Sequence, residues 1–134
     1  MTGRPGVSVR RSKRGRLSRS AEFDRVFRQG RSHANRVLVL YGFPRPDAHR
    51  DGEPRLGLSV SRRVGGAVER NRVKRLLREA FELESARMPE GHDVVIVARP
   101  DARAIAERDG LEGLRAPLAE LIDQLRARTE GERR

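Results

Sequence analysis

The chain has 134 residues, 30 Lys+Arg against 19 Asp+Glu, and a formal net charge of +11. That length suits one domain with a modest core, and the absence of cysteine excludes a disulfide framework and any thiolate metal site. No apolar run approaches the roughly 18–20 residues that span a bilayer, no apolar stretch of a secretory signal follows the basic start, and the charge points to a polyanionic partner. The expectation is a cytoplasmic protein.

In chain order, residues 1–16 hold six basic residues, no acid and no apolar periodicity, which predicts a flexible basic arm. Ser18 or Ser20 then caps a helix ending at Gly30, with Glu22 and Asp24 near its positive end and Phe23, Val26 and Phe27 as its apolar stripe. Val37 to Phe43 reads as a strand, and residues 44–54 as a loop rich in breakers. Arg55–Ser61 alternates: Leu56, Leu58 and Val60 point one way and Gly57, Ser59 and Ser61 the other. This predicts a half-buried strand antiparallel to the first. After Gly65-Gly66 a helix runs from about Ala67 to Ala86, followed by a short apolar strand, Asp93–Arg99. The remainder is helical, with 101–108 as a separate turn and Pro117 kinking the last helix or marking its start. The stripe Leu111, Leu114, Leu118, Leu121, Ile122 and Leu125 belongs to that helix. The order α–β–β–α–β–α predicts an α+β sandwich over 17–128, a sheet with helices packed on it, and a polar tail over 129–134.

The charge is unevenly placed. Residues 1–36 carry +9, 37–61 are neutral, 62–78 carry +6 and 79–134 carry −4. On the second helix Val73, Leu76, Leu77, Ala80 and Phe81 form the core stripe, while Arg70, Lys74 and Arg78 fall in one row at i, i+4, i+8. No acid lies between Arg70 and Arg78. Like charges near the positive end of a helix repel, by a few tenths of a kcal/mol per pair, a conflict that a bound polyanion cancels. Asn71, among the arginines, is suited to a base edge or a sugar hydroxyl. Phe27 and Tyr41 are candidates to stack single-stranded bases, although core packing explains an aromatic at position 41 equally well. His33, His49 and His92 are scattered without ligand spacing, and no nucleophile elbow or phosphate-cradling glycine loop is present.

The stretch LSVSRRVGGAVERNRVKRLLREAF (58–81), with its Arg-Asn-Arg element at 70–72, closely resembles the signature of the bacterial ribonuclease P protein component. Leu17, Phe23, Val26, Phe27, Gly30, the Ala34-Asn35-Arg36 turn and Val39-Leu40-Tyr41 match the family's N-terminal half in order and spacing, and VVIVARP (94–100) matches more loosely. The resemblance implies a two-layer α-β sandwich of the ribosomal-protein second-domain-like type with a left-handed βαβ crossover. It also implies a subunit of a ribonucleoprotein endonuclease that removes the 5′ leader from precursor tRNA, whose catalytic element is RNA with Mg²⁺. Carried over, the leader cleft comprises Phe27, Tyr41, Arg70, Asn71, Lys74 and Arg78, while Arg62, Arg63, Arg72 and Arg75 face the catalytic RNA. No catalytic residue and no dedicated metal site is expected in the protein. The competing reading is a ribosomal or general structured-RNA-binding protein; a protein-only nuclease has no converging carboxylates to support it.

Overall fold

The most uniformly apolar segment of the chain occupies the middle of the sheet. In the computed structural model, which describes residues 7–8, 31–45 and 54–132, the elements are β1 (Val7–Ser8), β2 (Arg31–Ala34), β3 (Leu38–Pro44), β4 (Leu56–Val60), α1 (Ala67–Glu84), β5 (His92–Ala98) and α2 (Asp101–Glu132). A single 3-10 turn, Ser85–Arg87, follows α1. The sheet order is β1-β4-β5-β3-β2. β5 is parallel to β4 and antiparallel to β3, and it is buried along almost its whole length. A strand flanked on both sides and buried at both parities is apolar at both, as VVIVA (94–98) is.

Both helices pack on one sheet face, giving the two-layer α+β sandwich. Leu38, Leu40, Leu58, Val60 and Ile96 from the strands share one core with Val73, Leu77 and Phe81 of α1 and Leu114, Leu118, Leu121 and Leu125 of α2. β4, α1 and β5 form the parallel β-α-β unit implied by the resemblance. A Cβ at Gly42 would lie 2.7 Å from Leu125 Cδ2, so glycine lets α2 sit directly on β3.

Several expectations change. β4 runs antiparallel to β3 as predicted but does not pair with it; β5 inserts between them, because the strand with no polar face takes the centre. The Arg31–Ala34 strand was not foreseen: it is short, largely exposed and at the sheet edge, so it shows no hydrophobic alternation. Within the expected arm, Val7–Ser8 pairs with β4. The 101–108 turn is set off from the rest of the last helix as expected, but the break falls at Gly110 (φ 60°, ψ −139°) and not at Pro117, and the helix continues to Glu132, past the start of the expected tail. The helix expected over 18–30, with Phe23 and Phe27, lies outside the described residues, as does most of the 44–54 loop.

Candidate nucleic-acid interface

β4 leaves the sheet through a tight turn in which Val64 N donates to Ser61 O (3.0 Å) and Arg63 N to Ser61 Oγ (3.3 Å). Val64 is buried and anchors the turn, so Arg62 and Arg63 are held exposed. Gly65-Gly66 follow because Glu69 folds back over them. Gly66 N donates to Glu69 Oε1 at 2.8 Å, and a Cβ on Gly65 would lie 2.9 Å from Glu69 Cβ. Glu69 thus places an anion in the first turn of α1, satisfying one end amide and the macrodipole together. The electrostatic conflict read from the sequence is confined to the turns after it.

Along α1 the five apolar positions of the predicted stripe are all buried. Arg70, Lys74 and Arg78 are half-buried and form one row on the flank of that stripe, while Asn71, Arg72 and Arg75 are exposed. Arg72 reaches toward Ala106 O of α2 at 3.5 Å, and Arg75 lies 3.7 Å from Glu79, an exposed pair of little energetic weight. Lys74, Arg78 and Tyr41 each interact within the chain. Arg70 Nε is buried without a hydrogen-bond partner.

The sheet face turned away from the helices carries the small residues predicted for it. Register places Tyr41, Val95 and Gly57 in one row across β3, β5 and β4, and Val39, Val97 and Ser59 in the next. Tyr41 and Ser59 are partly exposed, whereas Val95 is fully buried. Tyr41 therefore belongs to the sheet face opposite the one on which α1 packs, while Arg70, Lys74 and Arg78 share one row on the flank of α1. Phe27 lies outside the described residues.

One buried cluster at the strand ends escaped sequence reading. Asp93, with no exposed surface, accepts from Arg55 through Nε (3.2 Å) and a terminal nitrogen (2.7 Å), and Arg45 Nε lies 3.6 Å away. The three residues are 48 or fewer positions apart but in different segments, and only the pairing of β3, β4 and β5 brings them together. A second cluster joins the helices: buried Glu84 accepts from Arg115 Nε at 2.8 Å and pairs with Arg87. Hydrogen bonds from Arg115 and Arg87 hold the Glu84 carboxyl below the usual carboxylate range, against the effect of burial. Among the described residues no group of three or more His, Asp or Glu is arranged to hold a metal ion, and no helix is long and apolar enough to cross a membrane.

Comparison with known proteins matches residues 12–122 to the family model described as Ribonuclease P. The ribonuclease P protein component of Bacillus pumilus is 44% identical over 90 residues, covering 67% of this chain and 73% of the relative. That of Clostridium acetobutylicum is 46% identical over 90 residues, covering 65% and 71%. Among solved structures, the Staphylococcus aureus RNase P protein superposes with a TM-score of 0.68 at 31% identity, covering 82% of this chain and 99% of that one. The Thermotoga maritima RNase P protein gives 0.69 at 29% identity, covering 83% and 97%.

Proposed function

Since the chain belongs to the ribonuclease P protein component family, and so serves as the protein subunit of the endoribonuclease that matures tRNA 5′ ends, we propose how its residues divide that work. Arg70, Asn71, Lys74 and Arg78, with Phe27 and Tyr41, hold the 5′ leader of precursor tRNA. Arg62, Arg63, Arg72 and Arg75 contact the RNA subunit, which carries the catalytic element. The work takes place in the cytoplasm.

The observation that carries this reading is the half-buried row on α1 with an orphan Arg70 Nε. A buried guanidinium nitrogen without a partner costs roughly 1–3 kcal/mol, and a phosphate oxygen is its natural complement. Three cations at i, i+4, i+8 repeat at about 6 Å along the helix, so they follow a nucleic-acid backbone rather than a single anion. Mg²⁺ held mainly by RNA phosphates would supply charge stabilisation at the scissile phosphate. Among the described residues the two buried carboxylates, Glu84 and Asp93, do not fit it as ligands, because each is already engaged by arginines. The protein's own contribution is to bind and orient substrate.

The test is cleavage of precursor tRNA by the cognate RNA subunit at low Mg²⁺, with and without the protein. Added protein should raise cleavage and tighten binding of leader-bearing substrate. Lys74→Ala and Tyr41→Ala should each weaken precursor binding more than mature tRNA binding. Equal losses on both substrates would refute a leader site and favour general recognition of structured RNA.

A further inference from the structure

Three strand ends meet at one end of the sheet. β4 and β5 are parallel, so they finish together, and β3, antiparallel to β5, starts beside them. Leu38 and Val60 flank Ala98 in register, and just beyond, Arg99 N donates to Val37 O at 2.9 Å. The residues emerging there are Arg36 before β3, Arg99 after β5, and Arg62 and Arg63 after β4. With neighbouring strands about 4.8 Å apart, Arg36, Arg99 and Arg62 stand in a row on the order of 10 Å long. All four arginines are exposed. Arg36 lies 3.6 Å from Asp101 yet is 86% exposed, too open for that pair to neutralise it.

Both long helices also begin here, α1 after β4 and α2 after β5, so their positive ends add to the same field. Arg36 and Arg99 come from outside the basic helix entry, Arg99 from the segment whose net charge is negative. Only the strand register sets them beside Arg62.

We propose that Arg36 and Arg99 join Arg62 and Arg63 in one clamp on the phosphate backbone of the ribonuclease P RNA subunit. This rests on the assignment of Arg62 and Arg63 to that RNA and extends it by two residues. Among the described residues no aromatic side chain adjoins the four in sequence, so what they offer is phosphate contacts rather than a stacking platform. That suits a folded RNA rather than a single-stranded leader.

The full-length protein is titrated against the RNA subunit alone, and separately against precursor tRNA, across a range of salt. The double variant Arg36→Gln/Arg99→Gln should bind the RNA subunit roughly tenfold more weakly near 0.1 M salt. The slope of log affinity against log salt should fall in magnitude by about 2, one for each lost phosphate contact. Binding of precursor tRNA should not change. Arg36→Lys/Arg99→Lys should retain the slope, which a purely structural defect would not produce. An unchanged slope in the glutamine variant, or an equal loss on precursor tRNA, overturns the clamp. If Arg62→Gln/Arg63→Gln weakens RNA-subunit binding while Arg36→Gln/Arg99→Gln does not, the clamp fails and the earlier assignment stands. If neither pair has an effect, both fail.

Discussion

Gly110 decides the course of the C-terminal third of the chain through a single backbone conformation. Its φ of 60° with ψ of −139° lies in a region that side chains with a Cβ rarely adopt. The break lets the two halves of α2 close on each other, so that a Cβ on Gly113 would lie 2.7 Å from Asp109 Cβ and 2.9 Å from Ile105 O. Pro117 draws attention in the sequence because proline removes a helix donor, but a glycine needed for its torsion looks like any other glycine until the chain is folded. A Cβ at Gly110 would meet nothing within 4 Å, so the cost of Gly110→Ala is entirely torsional. Urea denaturation should show a loss of about 1–3 kcal/mol. Gly131→Ala, also in open space but without positive φ, should be neutral or slightly stabilising. Asn35 illustrates the opposite case, a residue visible in the family pattern whose work is legible only in three dimensions. Its Oδ1 accepts from Val37 N and Leu38 N, and its Nδ2 donates to Pro117 O and Glu120 Oε1, fastening the β2–β3 turn, and with it Arg36, to α2.

Between elements, the contact of α1 with α2 combines an apolar seam with one buried carboxylate. Glu84 stands at the end of α1, where the macrodipole disfavours an anion, and Arg115 from α2 together with Arg87 offsets that cost. With its folded pKa lowered, Glu84 contributes stability above its unfolded value of about 4.5, and that contribution disappears as pH falls through the lowered folded value. Glu84→Gln should therefore be less stable at neutral pH by about 1–3 kcal/mol and show a flatter acid limb in pH-dependent melting. His33 acts in a separate window. Burial, then the Arg128 charge, lowers its pKa, so the unfolded chain takes up its proton first and stability declines as pH drops below about 6.5. His33→Gln should remove that step and leave the more acidic one. At this scale the strands and helices were largely legible from periodicity. Their neighbours were not, because alternation tells which side of a strand is buried and nothing about which strand lies beside it.

Over the whole molecule, the net charge of +11 is resolved into faces. The Arg70–Lys74–Arg78 row lies on the flank of α1, the exposed arginines gather where β3, β4 and β5 open toward the helix starts, and the acids of α2 are largely absorbed in pairs such as Arg103–Glu107 and Arg115–Glu112. With cations grouped for several phosphates, binding of the protein to RNA should weaken steeply with salt, the log–log slope approaching −0.9 for each duplex phosphate contacted. A slope near −1, measured by titration from 50 to 200 mM salt, would mean that the grouped cations do not act together. By itself the sequence determined the family, the class of partner, the buried stripe of α1 and the row beside it, since each is set by spacing within one continuous segment. Tertiary structure alone decided the central place of β5, the Asp93 and Glu84 clusters, the torsion of Gly110 at which the last helix breaks and the meeting of Arg36 and Arg99 with Arg62. Each of these joins residues distant in the chain, or a torsion that residue type leaves open, and both are settled only when strands pair and the core closes.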